Sequence, residues 1–158
     1  MSFDVFLTKF LAGMPAESNR DAVLAVLNKA KFQGPDEHGF YVVEFADGHS
    51  VEFSAGGLQG EGEFNDCAFH IRGMSPDLVR FVFEIAKAGD MVMMPATEDF
   101  VPILSLPGQQ NELPKELAEN EIPPVLCGSP EELWSLLSGG YEGWKKYRDQ
   151  VVGDNRDP

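Results

Sequence analysis

The chain has 158 residues, 26 acidic against 12 basic side chains, a net charge of −14 and 43% hydrophobic residues. That length supports one domain, 1–158, with a core of its own, and the apolar content excludes a wholly disordered chain. The charge disfavours direct binding of nucleic acid and of anionic membranes, and it favours cationic partners. Cys67 and Cys127, the only cysteines, have neither a disulfide-framework nor a zinc spacing and read as two reduced thiols of a cytoplasmic protein. Met1 to Val5 carries no basic leader, so no signal peptide is expected there, and no run reaches the roughly 18 apolar residues of a membrane span.

The alternation of Phe3, Val5 and Leu7 with Asp4, Phe6 and Thr8 predicts a first strand that ends near Phe10. Ser18 with Asp21 resembles a capping box, and Val23, Leu24, Val26 and Leu27 follow at helical spacing, which predicts a helix over 19–31. Phe40 to Phe45 and Val51 to Ser54 read as a hairpin around Asp47-Gly48. Bringing Tyr41, Val43 and Phe45 onto the same face as Val51 and Phe53 requires an odd loop; Asp47-Gly48-His49 satisfies that and would set Glu44 opposite Glu52.

Residues 55–66 are glycine-rich, and Ala68 to Arg72 predicts a short strand. Ser75-Pro76-Asp77 starts a helix whose stripe is Leu78, Phe81, Val82 and Ile85, with Gly89 at the position of a left-handed cap. Met91 to Met94 and Phe100 to Leu104 predict two further strands. A long loop, 105–124, carries several prolines and a helical hint at Pro114 to Glu119. Val125 to Cys127 reads as an edge strand, and Ser129-Pro130-Glu131-Glu132 as a full capping box. Gly139-Gly140 is expected to end that helix, and a last one, Tyr141 to Val152, places Tyr141, Trp144, Arg148 and Val151 on one face; the chain from Gly153 on reads as a frayed end.

The fold class is therefore α+β: two strand-helix-strand-strand units, 3–54 and 68–104, form one antiparallel sheet with helices on one face, followed by a C-terminal helical extension, 129–152. The element order resembles that of the effector-binding domains of the gyrase-inhibitor-like type, which duplicate such a unit. The likeness is one of pattern, with no shared motif, and it implies the fold alone.

No nucleophile elbow, phosphate loop, zinc-protease or calcium-loop motif is present. Between Lys31 and Arg72 there is no basic lysine or arginine, and eight acids fall there: Asp36, Glu37, Glu44, Asp47, Glu52, Glu61, Glu63 and Asp66. If the face that holds Phe40, Val42, Glu44 and Glu52 is open, it mixes apolar and acidic groups as a binding surface would. The expectation is a non-enzymatic acidic module for a basic protein partner, of the inhibitor or immunity type, that uses Glu44, Glu52, Phe40, Val42, Asp47, Asp36 and Glu37 and needs no cofactor or metal. Two other readings stand beside it. One is a small ligand held in a concavity between the two units. The other is an enzyme that uses the carboxylates Glu44 and Glu52 as a hydrolase pair, or a metal at Cys67 and His70.

Overall fold

Period-two burial gives the sheet one dry and one wet face. In the computed structural model, which describes residues 2–60 and 62–156 (152–156 by their backbone alone), strand β1 (Phe3–Thr8) buries Phe3, Val5 and Leu7 and turns Asp4, Phe6 and Thr8 to the other side. Glu61 lies outside the described residues. A short hairpin, β2 (Phe10–Leu11) and β3 (Met14–Pro15), leads to helix α1 (Arg20–Leu27). Strands β4 (Lys31–Gln33), β5 (Phe40–Glu44), β6 (Ser50–Ser54) and β7 (Asp66–Ile71) precede helix α2 (Pro76–Gly89). After it come β8 (Val92–Pro95), β9 (Ile103–Leu104), a 3-10 turn over Pro107–Glu112, α3 (Lys115–Ala118), β10 (Val125–Leu126) and α4 (Pro130–Arg156).

The eight strands of the main sheet run in the order β10-β9-β8-β1-β7-β6-β5-β4. Every described neighbour pair is antiparallel except β10 on β9, so the sheet is mostly antiparallel and the class is α+β as expected. The two units interleave: β1 of the first lies between β8 and β7 of the second, and β7 lies between β1 and β6 of the first. In space the units differ: β6, the last strand of the first unit, lies beside β7, whereas β8, the middle strand of the second, lies beside β1.

The core joins Val5, Leu7, Tyr41, Val43, Phe53 and Phe69 of the sheet to Val23 and Leu27 of α1, Leu78, Phe81, Val82 and Ile85 of α2, and Leu133 and Leu137 of α4. The three helices thus cover one face and leave the other free. Among the described residues no helix is long and apolar enough to cross a membrane.

Several local expectations need correction. The cap of α1 is Asn19, whose side chain accepts from the Ala22 N–H at 3.1 Å; Ser18 is buried and donates its hydroxyl to the Gly89 carbonyl at 2.7 Å. The helix stops at Leu27, and Lys31–Gln33 becomes strand β4 because Phe32 packs on the core and meets Tyr41 edge-on, with ring centroids 5.8 Å apart. The left-handed cap of α2 is Asp90, with φ 54°, rather than Gly89. Gly89 serves close approach: a Cβ there would meet Ser18 Oγ at 2.7 Å and Val23 Cγ2 at 3.1 Å. At the start of α4, Ser129 Oγ accepts from the Glu132 N–H at 3.1 Å, but the Glu132 carboxylate accepts from Gly128, one residue outside the expected box.

The largest departure is that α4 runs unbroken through Gly139-Gly140. Helical glycine costs propensity, and here packing outweighs it. A Cβ on Gly140 would lie 2.5 Å from Thr97 Cγ2 and 3.5 Å from the Phe3 ring, so glycine lets the helix lie against the start of β1. Tyr141 continues the contact, edge-on to Phe3 at 6.1 Å and beside Trp144 at 5.5 Å, and the Arg148 guanidinium lies over Trp144 at 4.9 Å. Gly139 has nothing near its missing Cβ. Gly139→Ala is therefore expected to raise stability by about 0.5–1 kcal/mol in urea unfolding, and Gly140→Ala to bring no such gain. An equal gain from both would refute the packing account.

Candidate functional site

The helix-free face is built by the side chains that alternate away from the core. Across the sheet, Val42 of β5 opposes Glu52 of β6, Glu52 opposes His70 of β7, and His70 opposes Asp4 of β1. The next row runs Phe40, Ser54, Ala68, Phe6 and Met94. Phe6, Phe40 and Val42 are 44%, 37% and 41% exposed. An antiparallel sheet can hold one face in water, but that face is usually polar, so three large apolar groups on it mark a surface of interest.

The structure brings Phe40, Val42, Glu44 and Glu52 together on this face, and it changes how the two acids are held. The hairpin closes with the Phe45 N–H donating to the His49 carbonyl, so the loop is Ala46-Asp47-Gly48 and the register is shifted from the expected one. The loop is still odd and the apolar faces still coincide, with Tyr41 on Phe53 and Val43 on Val51. Glu44, however, opposes Ser50, and Glu52 opposes Val42, so the two carboxylates are not a facing pair. Each has its own cation: Lys31 Nζ is 3.1 Å from Glu44, and Arg72 Nη1 is 2.9 Å from Glu52. Lys31 and Arg72 are the two basic residues that bound the acidic segment. All four side chains are well exposed, so these pairs add little stability.

The remaining acids act locally. Asp36, in the loop before β5, accepts at Oδ1 from the backbone N–H groups of Phe40 and His38, each at 2.9 Å, and the Phe40 bond most of all holds its carboxyl below the ordinary value. Asp47 sits in the β5–β6 hairpin, where the His49 N–H, helped by the Ser75 hydroxyl, lowers it likewise. Glu37 is an exposed neighbour of His38 at 3.3 Å. Asp36, Glu37 and Asp47 are therefore loop residues, and the loops that hold them join opposite ends of β5.

Cys67 and His70 do not share a site. Three apart on a strand, they point to opposite faces. Cys67 is buried in the core, its thiol 3.8 Å from Met91 Sδ, and burial pushes its pKa up. Among the described residues no three His, Cys, Asp or Glu side chains are grouped as a metal would need.

His70 has other partners. Its Nδ1 is 3.0 Å from Asp4 Oδ1 and its Nε2 is 3.1 Å from Ser54 Oγ. A carboxylate can only accept, so Nδ1 donates to Asp4; when the imidazole is neutral, its one proton is then on Nδ1 and Nε2 accepts from the Ser54 hydroxyl. The Ser2 hydroxyl also donates to Asp4 Oδ1, and the Phe40 ring stacks on the imidazole with centroids 5.8 Å apart. Ser54 stands at the wall of a groove of about 1020 Å³, lined from both units by Phe6, Ala68, Met94, Pro95 and Phe100, with Asp66 and Glu98 among its polar groups. Against protein-family models, curated proteins and solved structures, the chain finds no match. The face is thus described by its own geometry: an apolar strip, two acids that each meet a basic side chain, and the hydrogen-bonded side chains of Asp4, His70 and Ser54.

Sequence reasoning missed Asp4, Ser54 and Phe6. Asp4 and Phe6 were visible as the outward half of an alternating strand. Only the placement of β1 and β6 on either side of β7 brings Asp4 and Ser54 to the same histidine.

Proposed function

We propose that the protein is an acidic binding module that docks a cationic protein partner on the helix-free face of its sheet. The observation that carries this reading is the exposure of Phe6, Phe40 and Val42 on that one face of a chain with net charge −14. The apolar strip would supply contact area, and the surrounding negative field would steer a basic partner towards it. Because Lys31 and Arg72 compensate Glu44 and Glu52, the apolar strip rather than the acid pair is the anchor of this reading.

The test is capture of basic proteins from a lysate of the source organism at low and moderate salt, with wild type, Val42→Lys, and Glu142→Lys on α4. Wild type is expected to retain a basic protein at low salt and to release it as salt rises. Val42→Lys is expected to lose it by about tenfold or more, while Glu142→Lys keeps it. Both variants should unfold within about 0.5 kcal/mol of wild type, since both positions face solvent. Retention that ignores Val42→Lys, or no retention at low salt, overturns the proposal.

A second reading is favoured by the groove beside Ser54. Its walls come from both units, as a small ligand held between them would require, and they are mostly apolar.

A further inference from the structure

We infer that Asp4, His70 and Ser54 form a nucleophilic relay that hydrolyses neutral or cationic esters of apolar acids at the groove. Three observations converge. Both hydrogen bonds of the relay are present, Asp4 to Nδ1 at 3.0 Å and Nε2 to Ser54 at 3.1 Å. In the neutral imidazole the Asp4 contact puts the proton on Nδ1, which leaves the Nε2 lone pair on the serine hydroxyl, as a general base needs. The serine borders an apolar cleft, where an acyl chain could lie against Phe6, Ala68 and Met94. Asp66 and Glu98 in the lining and the net charge of −14 select against anionic esters.

The chemistry balances without a cofactor. Ser54 Oγ adds to the ester carbonyl as its proton passes to His70 Nε2. The bond from carbon to the leaving oxygen then breaks, and the imidazolium returns that proton to the alcohol. Water then adds to the acyl carbonyl as Nε2 takes its proton, the bond from that carbon to Ser54 Oγ breaks, and the imidazolium returns the proton to Oγ, which gives the free acid and restores Ser54. Asp4 touches no substrate. It is a positioning residue that holds the imidazole tautomer and the transient imidazolium, helped by the Ser2 hydroxyl, while the Phe40 ring fixes the imidazole plane from one side.

The probe is p-nitrophenyl butyrate with the full chain at neutral pH, together with mass spectrometry of protein treated with an alkyl fluorophosphonate. The expected result is turnover above the buffer rate and a single phosphonate adduct on Ser54. Ser54→Ala and His70→Gln should each lose about a hundredfold or more of that turnover. Asp4→Asn presents an amide that favours the other tautomer, so its rate should fall at neutral pH and recover in part at alkaline pH; a merely structural Asp4 would leave the pH profile unchanged. Turnover equal in wild type and Ser54→Ala, or an adduct on another residue, overturns the relay, and the adduct test needs no variant to fold. The relay does not rest on the docking reading, because capture of a basic protein and ester turnover are measured separately and either can fail alone.

Discussion

Phe53→Ala is expected to lower the free energy of unfolding by about 3–5 kcal/mol, the usual cost of emptying an aromatic from a packed core. Phe53 sits where the sheet meets α2. Its ring is fully buried, stacks on Phe69 at 4.8 Å, lies tilted to Tyr41 at 5.7 Å and meets Phe81 edge-on at 6.3 Å. Three rings from two strands and one helix therefore lose a shared neighbour, and they are held by separate elements that cannot all close on the gap. The control is Phe6→Ala, a substitution of the same chemistry on the opposite face of the sheet, where 44% exposure limits the expected change to about 0.5–1 kcal/mol. Urea unfolding of both variants checks the contrast. Similar losses would mean that the free face is in fact covered in solution.

That contrast is also where the sequence was most legible. Alternation in Phe3 to Thr8 and Phe40 to Glu44 predicts both the strands and which side chains leave the core, because a strand has no freedom to turn its residues otherwise. Helix α2 was equally readable from Ser75-Pro76 and its stripe. What failed were features decided by distant partners. Ser18 gave up the expected capping role because the Gly89 carbonyl lies within reach of its hydroxyl, 71 positions along the chain. Lys31–Gln33 left the helical pattern because an edge position beside β5 was open to it. Gly139-Gly140 read as a stop, and only the closeness of Thr97 and Phe3 shows why a helix would carry glycine there.

The candidate site follows the same division. Phe40, Val42, Glu44 and Glu52 were placed on one face by parity alone, and parity holds. Which residue faces which depends on where the hairpin closes, and a shift in its register was enough to separate Glu44 from Glu52. The relay was out of reach for a stronger reason. Its members stand at positions 4, 54 and 70, and nothing local in the sequence says that β1 and β6 flank β7.

Gln109→Leu is expected to cost about 2–3 kcal/mol and to expose the segment 105–124 to proteolysis, because one buried amide ties that segment to the end of α2. Gln109 Oε1 accepts from the backbone N–H groups of Ser105 at 2.8 Å and Leu106 at 3.3 Å. Its Nε2 donates to Ser105 Oγ at 2.9 Å and to Asp90 Oδ1 at 3.0 Å, and Ser105 Oγ in turn donates to the Met91 carbonyl at 2.8 Å. Leucine fills a similar volume but leaves the buried Ser105 N–H without its acceptor and removes the donor on Asp90 Oδ1, so that Asp90 keeps only its Lys9 partner, 3.7 Å from Oδ2, among the contacts described. A segment with this many prolines reads as loose in the sequence, yet it contains the Pro107–Glu112 turn, and this knot gives a physical reason for its order. Gln109→Glu separates the two halves of the amide. It keeps the acceptor for Ser105 but sets a carboxylate against Asp90, so it should destabilise at neutral pH and recover towards acid as one of the two carboxylates takes up a proton. Thermal unfolding across pH, with limited proteolysis of both variants, measures this. If both variants unfold like wild type and 105–124 is cut no faster, the knot does not order the segment, and its order has another source.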